Sequence, residues 1–106
     1  MRIEDIVDAI RHNRIRITDH ADEEAQADRL SFDEIFLSVL QGEVIEDYPD
    51  DAPYPSALFL GFVSGTPFHV VAAFDDESNH CYVITVYTPD LEHFENDYKT
   101  RRQHED

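Results

Sequence analysis

His69 interrupts an otherwise apolar run, PFHVVAAF, at residues 67–74. If that run is a strand, successive side chains point to opposite faces. Phe68, Val70, Ala72 and Phe74 then make the natural core face, and His69, Val71 and Ala73 point the other way. In CYVITVY (81–87) Tyr82, Ile84 and Val86 share one face, and Cys81, Val83, Thr85 and Tyr87 share the other. With the larger aliphatic set turned toward the helices in both strands, His69 lies on the outer face with Thr85 and Tyr87. An antiparallel sheet can leave such a face open to water, so His69 is expected to be at least partly accessible. An imidazole, a hydroxyl and a phenol together can move protons or hold a polar ligand. Thr and Tyr are also ordinary strand residues, so the grouping has a purely structural reading as well.

Metal chemistry has the residue types but not the spacing. There are six histidines and many carboxylates, yet no HxxxH, HxH or CxxC. The single cysteine, Cys81, allows neither an internal disulfide nor a cysteine-only zinc site. Neither a metal nor a cofactor is expected. His12, His80, His93 and His104 read as surface residues.

These side chains need a scaffold. Ile3, Ile6, Val7 and Ile10 recur at helical spacing, which predicts an amphipathic helix over 3–12. RIRIT (14–18) suits a short edge strand or an extended connection. Thr18 or Asp19 caps a second helix whose first turn carries Asp22, Glu23 and Glu24. SFDE (31–34) is a capping box, and it opens a third helix with Phe32, Ile35, Phe36, Val39 and Leu40 as its apolar residues. Gly42 ends it.

The period then changes to two. Strands are predicted at 43–48, 57–63, 67–74 and 81–87, with SGT and DDESNH as turns. The loop PDDAPYP (49–55) has two readings. One is a rigid crossing braced by prolines and pinned by Tyr48 and Tyr54. The other is an acidic, aromatic recognition loop for a basic partner. Residues 90–102 read as a weak C-terminal helix or tail, with Leu91, Phe94 and Tyr98 on one side. Helices followed by antiparallel strands predict one α+β domain over 1–106, the helices packed on one face of a four-stranded sheet.

The chain has 106 residues and a formal charge of −16. Such a charge opposes nucleic-acid or membrane binding through the whole surface. Between Asp19 and Asp97 the only base is Arg29. The other bases sit at the ends: Arg2, Arg11, Arg14 and Arg16, then Lys99, Arg101 and Arg102. Chain ends often lie close together, so these residues are expected to form one positive patch. Nothing resembles a signal peptide, and no apolar stretch approaches the roughly 20 residues of a membrane-spanning helix. The expected location is the cytoplasm.

Several stretches carry a family resemblance. ITDHADEEAQADRLSFDEIFLSVLQGEVIEDYPDDAPYPSALFLG, PFHVVAAF and ITVYTPD resemble the bacterial and archaeal domain-of-unknown-function family 4258, over about residues 14–102. That family is grouped with RelE-like toxins in a superfamily that includes barnase, EndoU and the colicin ribonucleases. The resemblance implies a RelE-like fold with an RNA-cleaving site at His20, His69, Thr85 and Tyr87. It also implies a toxin–antitoxin pair with a small zinc-finger antitoxin as partner.

Metal-independent cleavage of RNA needs a base, an acid and a cation for the added phosphate charge. His20 and His69 could fill the two proton roles, and Tyr87 could act as acid or phosphate ligand. Arg14, Arg16, Arg29, Arg101 and Arg102 are the candidate RNA-binding cations. His20 has a structural alternative, a cap or a hydrogen bond to a loop. The competing function is a non-catalytic, acidic protein-interaction module on the same fold.

Overall fold

Helix α1 (Ile3–Arg11) buries Ile6, Ala9 and Ile10, one stripe of the amphipathic pattern. It opens the computed structural model, which describes residues 2–102. His104 lies outside the described residues. Strand β1 (Ile15–Ile17) follows, then α2 (Asp19–Ala27) and α3 (Phe32–Leu40). Thr18 caps α2 by accepting the Ala21 N–H, and the capping box of α3 is formed by Ser31 and Glu34. Four strands complete the order: β2 (Glu43–Tyr48), β3 (Ser56–Val63), β4 (Thr66–Asp75) and β5 (His80–Tyr87).

The sheet has five strands in the order β1-β5-β4-β3-β2, not four. The extra member is β1, which pairs parallel with β5, so the sheet is mixed. RIRIT is too short to declare a strand alone, and a parallel neighbour distant in sequence leaves no hairpin signal. Between β3 and β4 the Ser64–Gly65 turn has positive φ at both residues (51° and 82°), the geometry a two-residue hairpin demands.

All three helices cover one face. Their Ile6, Ile10, Ala21, Ala25, Ile35 and Val39 pack on Ala57, Phe59, Phe68, Val70, Ala72, Phe74, Cys81, Val83 and Val86 of the sheet. The expected face of β4 is correct. That of β5 is only half correct, because Cys81 and Val83 face the helices while Tyr82 is half-buried and Ile84 is 37% exposed. A bulge is the cause: Val71 pairs with Thr85, but Ala72 pairs with Val83, so Ile84 is an extra residue. One extra residue reverses every side chain beyond it.

Helix α3 sits close on β3 because Gly61 lacks a side chain. A Cβ there would lie 2.6 Å from Ser38 Cα. Gly61→Ala should therefore force the helix off the sheet and cost about 1–3 kcal/mol, the scale of overpacking. A denaturant titration that shows an unchanged midpoint would contradict this contact.

Residues 90–102 form no helix. Asp90 Oδ1 accepts the N–H groups of Glu92 and His93, and Asp97 Oδ1 accepts those of Lys99 and Thr100. Such local bonds replace helical ones. Tyr98 has φ 61°, and a bridge joins Phe94 to Arg101. The segment folds back on itself and lies against the outer face of the sheet. No helix among the described residues is long and apolar enough to cross a membrane.

Candidate functional site

Strands β4 and β5 place His69 directly opposite Tyr87. Both project from the face away from the helices, as alternation predicts. The Tyr87 hydroxyl lies 3.1 Å from His69 Nδ1, and the rings meet edge to face. The accessibility of His69 differs from expectation: the residue is 0% exposed. The helices do not bury it. The C-terminal segment does, with Phe94 packed edge-on against the imidazole at 4.6 Å between ring centres. His69 Nε2 donates to the backbone carbonyl of Tyr98 at 2.5 Å.

That carbonyl can only accept, which fixes the tautomer. Neutral His69 carries its proton on Nε2, and Nδ1 accepts from the Tyr87 phenol. Burial, the largest influence, pushes the imidazole below its ordinary value of 6.5. Burial also pushes the Tyr87 phenol up.

Beside this pair lies a second polar group. Arg101 makes a two-pronged contact with Glu46, Nε to Oε2 at 2.6 Å and Nη2 to Oε1 at 3.0 Å. The Tyr48 hydroxyl donates to Glu46 as well. Hydrogen bonding from Arg101 is the main reason the Glu46 carboxyl titrates below the usual carboxylate range. The Arg101 guanidinium also lies over Phe94, 5.0 Å from its ring centre. Phe94 thus contacts both Arg101 and His69. Lys99 holds the segment to Glu43 at the head of β2.

His20 lies elsewhere. It is an exposed residue on the first turn of α2, with Nε2 3.2 Å from Glu24 Oε1. Glu24 Oε1 also accepts from the Thr85 hydroxyl at 2.5 Å and from the Val86 N–H at 3.0 Å. The Thr18 hydroxyl donates to the Ile84 carbonyl. The cap and the first turns of α2 thereby satisfy backbone groups of Ile84 and Val86 in β5. This gives Thr85 and Glu24 a structural role and leaves His20 and His69 without a common hydrogen-bonded partner.

The basic residues do not converge. Arg14 bonds Asp8 and the Asn79 carbonyl at the β1 edge. Lys99 and Arg101 bond Glu43 and Glu46 of β2, the opposite edge. Four strand spacings, about 19 Å, lie between the two edges. Arg16 and Arg29 are exposed, and Arg102 is tied to Leu91 and Glu95. The single positive patch read from charge segregation is therefore corrected to separate cations, of which Arg14, Lys99, Arg101 and Arg102 pair with carboxylates.

Sequence reasoning missed Glu46 and Tyr48. Their i, i+2 spacing puts them on one face, but the register of β2 shifts between Val44 and Glu46, which hides which face that is. Among the described residues no group of three or more His, Cys, Asp or Glu side chains could hold a metal ion.

A pH dependence follows from the buried imidazole. The unfolded chain takes up a proton near 6.5, whereas folded His69 resists it until lower pH. Between these values the unfolded state binds more protons, so stability rises with pH and is lost as pH falls below about 6.5. Denaturant midpoints measured from neutral to mildly acidic pH should fall on acidification, and His69→Gln should flatten the fall. An equally steep fall in the variant would assign the effect to another group.

The sequence model of the family described as domain of unknown function DUF4258 matches residues 17–88. No curated protein and no solved structure matches the chain. The matched span runs from the end of β1 to just past β5. It contains His20, Glu24, Glu46, His69, Thr85 and Tyr87, and it ends before Phe94, Tyr98 and Arg101. Matched over more than half of its length, the chain belongs to the DUF4258 family.

Proposed function

We propose that this protein is a metal-independent endoribonuclease, the toxin of a toxin–antitoxin pair, with its active site at His69. The observation that carries the reading is the convergence of His69 and Tyr87 with Glu46 and Arg101 on one sheet face. The RelE-like fold assignment is part of the same proposal and rests on the resemblance read in the sequence. So does the partner, a small zinc-finger antitoxin.

The closed arrangement occupies both imidazole nitrogens. Once the Tyr98 carbonyl leaves, the tautomer can switch, with Nδ1–H donating to the Tyr87 oxygen and the Nε2 lone pair facing the substrate. Neutral His69 then takes the proton from a ribose 2′-hydroxyl. The 2′-oxygen attacks phosphorus and the bond to the 5′-oxygen breaks. That oxygen takes a proton from the Tyr87 phenol, leaving a 2′,3′-cyclic phosphate and a 5′-hydroxyl end. Arg101 is the nearest cation for the charge that builds on the phosphate. His20 has no step in this scheme.

The test is incubation of purified protein with single-stranded RNA in EDTA, with and without ribosomes, followed by analysis of the fragment ends. Cyclic phosphate ends support the reading. Absence of cleavage in every condition favours the alternative, an acidic protein-interaction module. One observation supports that alternative: the cations lie at opposite sheet edges, an arrangement poorly suited to a nucleic-acid backbone.

A further inference from the structure

The outer face of the sheet is covered by the C-terminal segment at its His69 end and by the loop after β2 at the other, where Ser56 and Ala73 are buried. At the other end, Tyr54 from the loop after β2 stacks on Tyr82 of β5, with ring centres 5.5 Å apart and planes 10° from parallel. A recess of about 360 Å³ opens on one side, lined by Pro53, Tyr54, Ala73, Tyr82 and Ile84, with Asp51 and Thr18 at its edge. A second recess, of about 320 Å³, opens on another side of Tyr54, where Pro53, Pro55 and Phe74 line it together with the carboxylates of Asp5, Asp75, Asp76 and Glu77. Pro53 and Tyr54 therefore border both a mainly apolar hollow and one rich in carboxylates. The β5 bulge creates the first, because it turns Tyr82 and Ile84 outward.

We propose that this double recess is a docking site for an extended, basic segment of a partner protein. An aliphatic side chain fills the hollow over Ile84, and an arginine two residues away lies against Tyr54 among the carboxylates. Three features select this occupant. Aromatic faces and carboxylates together suit a guanidinium, through cation–π attraction and charged hydrogen bonds. Alternate residues of an extended chain are about 6.6 Å apart and project to the same side, which can serve two adjacent hollows. A net charge of −16 draws basic partners and repels acidic ones. The site is independent of His69 and deepens the protein-binding reading rather than the nuclease one.

Fluorescence anisotropy with a labelled peptide that repeats Arg-Ser-Leu-Ser, which puts arginine and leucine on the same side of an extended chain, tests the proposal. Two control peptides keep the arginines with glycine in place of leucine, or keep the leucines with glutamate in place of arginine. The arginine–leucine peptide should bind best, and Tyr54→Ala or Tyr82→Ala should each weaken it by about tenfold or more, as for an aromatic anchor. Glu77→Gln should weaken it less and reduce the salt dependence. Asp33→Asn, at the start of α3, removes one charge elsewhere and should change little. Circular dichroism of each variant, with Tyr54→Phe to retain the ring, separates lost binding from lost fold. Equal binding of the glycine control would overturn the proposal, because charge alone would then suffice. Unchanged affinity in both folded alanine variants would overturn it too, as would the lack of any binding at low salt. None of these results bears on cleavage at His69, so failure here is distinct from failure of the nuclease reading.

Discussion

His69→Gln should slow RNA cleavage by about 10²–10⁴-fold in EDTA, the usual loss when an acid–base group is removed. Glutamine is the informative replacement. Alanine would leave a hole beneath Phe94, because His69 is fully buried, and a hole of that kind destabilises whatever the chemistry. Glutamine is similar in reach and can still donate to the Tyr98 carbonyl, yet it cannot accept and return a proton near neutral pH. Cleavage unchanged in a folded His69→Gln protein, with contaminating nuclease excluded, would remove His69 from the mechanism. Tyr87→Phe should also slow the reaction while keeping the edge-to-face ring contact, since only the hydroxyl at 3.1 Å from Nδ1 is lost. His20→Ala should leave the rate near that of the parent, because His20 bonds Glu24 and shares no partner with His69.

Features governed by near neighbours in sequence were readable. Ser31 and Glu34 form the capping box they spell, and Ser64–Gly65 makes the tight turn that two positive φ angles require. His69 and Tyr87 face away from the helices, as alternation counted along β4 and from the end of β5 implies. Counted from Cys81 the same rule fails, because the bulge at Ile84 lies between. That bulge is stabilised from outside the strand, by Thr18 and Glu24 of a helix more than sixty residues earlier. No pattern within CYVITVY records those partners. The parallel pairing of β1 was hidden for the same reason. The C-terminal segment was misread because Phe94 and Tyr98 are apolar at helical spacing, while Asp90 and Asp97 compete for the backbone N–H groups a helix would use. Burial of His69 was therefore beyond local reading: the residues that seal it come 25 to 32 positions later.

The seal itself makes the last prediction. Phe94 is 3% exposed and touches both the His69 ring and the Arg101 guanidinium. Removing a buried phenylalanine ring costs about 3–5 kcal/mol. In Phe94→Ala that cost falls mainly on the closed cover, since the helices and their core lie on the other face of the sheet. At 1.4 kcal/mol per decade, even the lower figure shifts the opening equilibrium by about 10²-fold. Diethyl pyrocarbonate modifies accessible neutral imidazoles, so mass spectrometry can follow His69 against exposed His12 and His20 in the same molecule. In the parent protein His69 should react far more slowly than either. In Phe94→Ala it should approach them, and if the nuclease reading holds, cleavage should rise in parallel. The Arg101–Glu46 pair is partly exposed and should matter less, because exposed ion pairs contribute about 0–1 kcal/mol. Gly61→Ala provides the control: it weakens the whole fold through α3 without touching the cover. A similar rise in His69 reactivity in Gly61→Ala would point to global unfolding, and no rise in Phe94→Ala would show that residues 94–101 do not gate the histidine.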